Sequence, residues 1–236
     1  MNLKANCADI ISVFTPFLCP ICKKKAIESA SPACEECRQE IRFIEPPFCP
    51  GCGGENSGIF DLCAFCLKEE DGHLWKNAVS LMHFEGLGRQ LVHRFKYQND
   101  TALAKTLGNF ASERLLASGI RPDIIVPVPL HWISHILRGY NQSALLASFI
   151  SSRTGIPVST ALRRRKWTRR QANLGRSERR KNIIRAFSVK GIGIFEKRSI
   201  LIVDDVITTG ATLRSAAKTL LDAGAGEINI LTLARG

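Results

Sequence analysis

The run Ile200-Leu201-Ile202-Val203, followed at once by Asp204-Asp205 and then by Thr208-Thr209-Gly210-Ala211-Thr212, constrains the fold of this chain more than any other feature. Four uninterrupted apolar residues, mostly β-branched, read as a strand covered on both faces, which is the mark of a parallel sheet between helical layers. The two carboxylates then fall at its carboxyl end, where open α/β sheets bind ligands. Beyond the threonines, Leu213, Ala216, Ala217, Leu220 and Leu221 recur at helical spacing. Loop amides and a helix N-terminus therefore converge on one spot, suited to a phosphate. Gly210 supplies positive φ and bare backbone, and Thr208, Thr209 and Thr212 add hydroxyl donors. Asp204 and Asp205 are acceptor-only and match the donors of a vicinal diol. A sugar with two neighbouring hydroxyls and a terminal phosphate would use both halves of the segment. A strand, an acidic turn and a capped helix with no ligand is the plainer alternative.

Around this segment the pattern alternates. Strands are expected at Ala78–Phe84, Asp123–Val128, Pro157–Leu162 and Ile228–Leu233, and helices near Leu103–Ala117 and Asn141–Arg153. Between the first of these strands and helices lies a basic helix that turns Leu91, Val92 and Phe95 inward, with His93 read either as a contact to an anionic ligand or as a satisfied structural histidine, the more common case. The order demands a mostly parallel sheet with right-handed crossovers. Val126-Pro127-Val128-Pro129 is too Pro-rich to run on into sheet or helix and ends beside the proposed pocket.

The amino-terminal part is built differently. Cys19-x-x-Cys22, Cys34-x-x-Cys37, Cys49-x-x-Cys52 and Cys63-x-x-Cys66 are four knuckle-like pairs. Both sulfurs of such a pair reach one ion, and two pairs close a tetrahedral zinc shell with no open position. Two structural zinc ions are expected. Pairing of first with second and third with fourth is simplest, and an interleaved arrangement stays open. Residues 19 to 70 carry too little apolar surface for a core of their own, so metal would supply the missing folding free energy. The cysteines end near Gly72, which places a zinc module at 1–71 and the sheet domain at 72–236. Cys7 is left over as a buried residue, and Ile10, Val13, Phe14 and Phe17 fit a short amphipathic helix. The leading residues lack a signal-peptide pattern and no apolar run reaches membrane-spanning length, so a soluble cytoplasmic protein with thiolates rather than disulfides is expected.

The formal charge is +12, and it is unevenly placed. Between Arg163 and Arg185 stand eleven Lys or Arg and one acid, Glu178. A polyanionic partner follows. Arg164, Arg165, Arg169 and Arg170 are candidates for a nucleic-acid backbone, and Arg176, Arg179 and Arg180, beside Gly175, for a lid over a diphosphate. Trp167 and Phe187 are the only aromatics near it, thin for a base-stacking platform. A solvated loop would also carry such charge.

The segment Asp204 to Thr212 resembles the ribose-phosphate motif of type I phosphoribosyltransferases. The resemblance implies that the two acids contact ribose hydroxyls and that the loop amides hold the 5-phosphate of phosphoribosyl pyrophosphate. With the Cys knuckles, His93-Arg94-Phe95-Lys96-Tyr97, Val126-Pro127-Val128-Pro129, Arg138-Gly139-Tyr140-Asn141-Gln142 and Gln171 through Asn182, nearly the whole chain resembles the ComF family. That implies an α/β fold of type I phosphoribosyltransferase type behind a double zinc module. It also implies a phosphoribosyl pyrophosphate or ribose 5-phosphate ligand, single-stranded DNA as partner, contacts with competence-machinery proteins, and Arg138 among the pyrophosphate or DNA contacts. If the protein turns over, Asp204 and Asp205 become catalytic, stabilising an oxocarbenium-like transition state with Mg²⁺. The rival expectations are a metabolic nucleobase phosphoribosyltransferase and a non-catalytic zinc-module DNA-binding adaptor.

Overall fold

In a computed structural model, residues 17–28, 31–68, 72–98, 100–130, 139–164 and 186–236 are described. The centre is a four-stranded, all-parallel sheet. Its strands are β3 (Asn77–His83), β4 (Ile124–Pro127), β7 (Ser199–Ile207) and β8 (Glu227–Arg235), in the order β3-β8-β7-β4. Ile200 to Val203 are fully buried, as the apolar run required. Alternation then sorts side chains between two cores. Leu201, Val203, Leu231 and Leu233 face one layer, and Ile200, Ile202, Ile228 and Ile230 the other.

The first layer holds α2 (Gly86–Tyr97), α3 (Thr101–Ala117) and α4 (Gln142–Thr154), following α1 (Glu35–Glu40) of the Cys-rich part. Leu91, Val92 and Phe95 of α2 point inward as the spacing predicts. Asp100 caps α3 by accepting from Leu103 N at 3.0 Å, and Asn141 caps α4 by accepting from Ser143 N at 3.0 Å. The second layer is α5 (Ala211–Asp222), whose Leu213, Ala216, Ala217 and Leu220 are buried.

Three expectations change. The strand carrying the acids does not stop at Val203: β7 runs to Ile207 because β8 keeps pairing with it, Asp204 opposite Thr232 and Val206 opposite Ala234. The stretch Pro157 to Leu162 is not one strand. Val158 makes a single parallel bridge to Ile125, and the chain then turns into β5 (Leu162–Arg164), antiparallel to β6 (Phe187–Val189). Phe17 is exposed in a two-residue strand, β1 (Phe17–Leu18), paired with β2 (Ala26–Ile27), rather than on a packed helix. Cys7, Ile10, Val13 and Phe14 lie outside the described residues.

The Cys-rich part also has no separate core. Cys19, Ile21, Cys34, Cys37 and Ile41 belong to the layer of α2 to α4, while Cys49, Cys52 and Cys66 belong to the layer of α5. Backbone bonds fasten it to β3: Ile44 N to Leu81 O at 3.1 Å, and Ala78 N to Pro50 O at 2.8 Å.

Candidate ligand site and metal centres

Pairing explains where the acids sit. β4 ends at Pro127, opposite Val203, so on that side Asp204 and Asp205 project past their neighbour, while β8 continues beside them on the other. Among the described residues no strand pairs with them on that side. This corrects the sequence expectation without moving the site: the acids stand within the strand, yet beyond the end of β4.

Both carboxylates are held by residues distant in sequence. Asp204 Oδ1 accepts from Ser143 Oγ at 3.0 Å and from Asp205 N at 2.9 Å. Lys96 Nζ is 3.0 Å from Asp205 Oδ1. Among the described residues these contacts all fall on Oδ1, leaving each acid a second oxygen as acceptor. Burial raises the Asp204 carboxyl to about 7, with the charge of Asp205 adding to the rise; the Asp205 N–H, Ser143 and Lys96 oppose it. Burial lowers the Arg164 guanidinium from its ordinary value, with the Asp204 charge opposing, and this guanidinium lies 5.5 Å from the Phe187 ring centroid.

Lys96 and Ser143 are the residues that sequence reasoning did not assign to the site. Each is set by a motif that it did single out. Tyr140 Oη donates to Phe95 O, and Gln142 Nε2 donates to Lys96 O at 3.1 Å, so the turn before α4 grips the end of α2. This brings Lys96 onto Asp205 and Ser143 onto Asp204. His93 is exposed on α2, its ring 4.8 Å from that of Tyr97.

The loop after β7 has the expected form. Gly210 has φ 70° and is the residue before α5; it brings no side-chain cap, and Thr209 Oγ1 accepts from Ala211 N at 3.5 Å. A Cβ on Gly210 would meet Trp75 at 3.5 Å, an ordinary contact, so glycine is needed here for its φ rather than for space. Thr208 and Thr209 are exposed beside it. Arg138, Arg165, Arg169, Arg170, Arg176, Arg179 and Arg180, with Trp167, lie outside the described residues. Phe187 is buried and offers no face for stacking.

The cysteines gather into two sets, Cys19, Cys22, Cys34, Cys37 and Cys49, Cys52, Cys63, Cys66. Within each set the sulfurs lie within 4.8 Å of one another. The pairing is sequential. Sulfurs at about 2.3 Å around one tetrahedral ion stand about 3.8 Å apart. Cys22 to Cys34 measures 3.9 Å and Cys52 to Cys63 3.7 Å, so an all-thiolate zinc shell fits both sets. Backbone N–H groups support the sulfurs: Cys34 N donates to Cys19 and Cys63 N to Cys49, each at 3.3 Å. The Cys22 thiol is lowered to about 6 by the Lys24 and Lys25 amides, whereas burial pushes Cys37 and Cys66 up. These are structural zinc centres with no open position for chemistry.

Both centres reach residues beside the candidate site. Arg94, two residues from Lys96, donates to the first knuckle through Ile21 O at 2.7 Å and Pro20 O at 3.0 Å. On the other face, Cys52, Cys66, His73 and Trp75 line one small cavity with Thr208, Thr209 and Gly210. Trp75 Nε1 donates to Gly51 O at 2.9 Å, and Arg214 of α5 donates to Gly72 O.

Comparison with known proteins agrees with this architecture. Residues 10–67 match the double zinc ribbon domain family, and residues 135–236 match the phosphoribosyl transferase domain family. Competence protein F of Haemophilus influenzae is 34% identical over 234 residues, covering 94% of this chain and 98% of that one. DNA utilization protein YhgH of Salmonella typhimurium is 30% identical, covering 93% and 97%. Competence protein ComFC of Bacillus subtilis is 28% identical, covering 86% and 83%. Likeness over almost the full length of both chains, with two four-cysteine centres packed on a parallel sheet of phosphoribosyltransferase type, shows that this chain belongs to the ComF family.

Proposed function

We propose that the protein binds a ribose 5-phosphate group, carried by phosphoribosyl pyrophosphate, and works on incoming single-stranded DNA during DNA uptake. One observation carries the ligand: an acid pair left open beyond the end of β4, followed within one loop by Gly210 in a left-handed conformation before α5. The second oxygens of Asp204 and Asp205 accept the two ribose hydroxyls. Amides at the head of α5, with Thr208, Thr209 and Thr212, take the 5-phosphate. A diphosphate arrives with Mg²⁺, a hard cation suited to its oxygens, and the carboxylates are of the right donor class to face it. Support for the DNA side comes from the relatives, which are named for competence and for DNA utilization. The formal charge of +12 suits a polyanion.

Turnover is read by incubating the intact protein with phosphoribosyl pyrophosphate, Mg²⁺ and single-stranded DNA or a panel of bases, and assaying released pyrophosphate. Release that needs a base points to a nucleobase transferase. Release that needs DNA, or tight ligand binding without release, supports the role in DNA handling. A protein that neither binds nor cleaves the ligand is the zinc-module adaptor instead.

A further inference from the structure

One groove lies outside the residues proposed above to hold the ribose 5-phosphate. It lies over the outer face of α2, holds about 550 Å³, and is lined by Phe84, Arg89, His93, Lys96 and Tyr97, together with Gln90, Val92 and Arg94. At one end Lys96 is the partner of Asp205, at 3.0 Å. Phe84 and Thr208 both stand beside Gly236, where a Cβ would meet Thr208 Cγ2 at 3.3 Å and Phe84 Cβ at 3.5 Å. Through Lys96 the groove reaches the acid pair.

Its chemistry is uniform. Arg89, His93 and Tyr97 are four residues apart and share one helix face, a column about 12 Å long at 1.5 Å per residue. The two rings are 4.8 Å apart, with an interplanar angle of 44°. Tyr97 is 57% exposed, and no acid lines the groove among the described residues. An exposed ring pair flanked by Arg89 and Lys96 presents stacking surface between cations. Such a surface suits unpaired bases on an anionic backbone; in a duplex the base faces are already stacked on one another.

We propose that this groove is the DNA subsite of the protein, seating about two nucleotides of a single strand with one base stacked on the His93–Tyr97 pair and backbone phosphates on Arg89 and Lys96. The proposal rests on the ribose-phosphate reading only for its orientation, which points the strand toward Asp204 and Asp205. It supplies the stacking platform that the basic segment lacks.

The test uses the intact zinc-loaded protein and anisotropy of labelled oligo-dT, beside an abasic oligomer of equal length and charge. A stacked base is worth enough that Tyr97→Ala should weaken oligo-dT binding about 5-fold or more. Binding of the abasic oligomer should stay unchanged, and Tyr97→Phe should restore oligo-dT affinity. Arg89→Gln should weaken both oligomers and lower the salt dependence by about one phosphate contact. Tyr97→Ala binding oligo-dT like the original protein, or losing both oligomers equally, would overturn the groove. Ribose 5-phosphate titrated into the same Tyr97→Ala sample keeps the two claims apart. Its retained binding while oligo-dT affinity fails to respond to Tyr97 sinks the groove alone. A Tyr97-dependent oligo-dT affinity in a protein blind to ribose 5-phosphate sinks the ligand reading and leaves the groove standing.

Discussion

Asp204 joins the site's chemistry to its stability. Its carboxyl is raised to about 7 by burial and by Asp205, against an ordinary value of about 4, so the folded chain holds this proton more tightly than the unfolded chain. Stability from this group is therefore full at low pH and is lost as pH rises from about 4 to about 7. Asp204→Asn, which keeps shape without charge, should raise the melting temperature relative to the original protein more at pH 8 than at pH 5, read by thermal scans at both. Ligand binding should run oppositely, because the ionised carboxylate is the acceptor. Affinity for ribose 5-phosphate should climb through pH 7, and Ser143→Ala, which removes a donor to the charged form, should move that rise to higher pH. Gly210 yields a separate expectation. At φ 70° any residue with a branched Cβ is strained, so Gly210→Val should cost about 1–2 kcal/mol of stability and most of the phosphate affinity. Gly210→Asn, which tolerates this region, should cost less in both.

At the scale of elements, α2 and the second Cys set carry what the sequence did not disclose. Three consecutive residues of α2 serve three neighbours: Arg94 the first knuckle, Phe95 O the Tyr140 hydroxyl, and Lys96 the Asp205 carboxylate. The second Cys set and Trp75 line a cavity with the loop after β7. Stripping zinc should therefore loosen that loop as well as the knuckles. Amide exchange at residues 207–214 should accelerate on chelation, while Leu201 to Val203, at the centre of the sheet, stay protected. Unchanged exchange at 207–214 would show that the cavity shared with Cys66 is incidental. The strand at Ile200, the head of α5 and the knuckle spacing were legible because their signals are local, within about ten residues. The run of β7 to Ile207 was hidden because its cause is pairing with β8, not its own polar residues. Ser143 was hidden for the same reason, lying 61 residues from the acid it supports.

For the whole molecule, the zinc centres are part of the body rather than an appendage, since their cysteines sit in the same cores as the two faces of the sheet. Elemental analysis should find two zinc per chain. Replacing Cys66 by Ser should lower ribose-ligand affinity as well as stability, because Cys66 shares a cavity with Thr208 to Gly210. Among the described residues no helix is long and apolar enough to cross a membrane. The central claim is that one crevice, walled by Asp204, Asp205 and the loop through Gly210, holds a ribose 5-phosphate group. Calorimetric titration of ribose 5-phosphate into the zinc-loaded protein and into the Asp204→Asn, Asp205→Asn double variant tests it most directly. Saturable one-to-one binding that disappears in a double variant of unchanged fold is the expected result; no heat with the original protein, or equal binding by both, would contradict it.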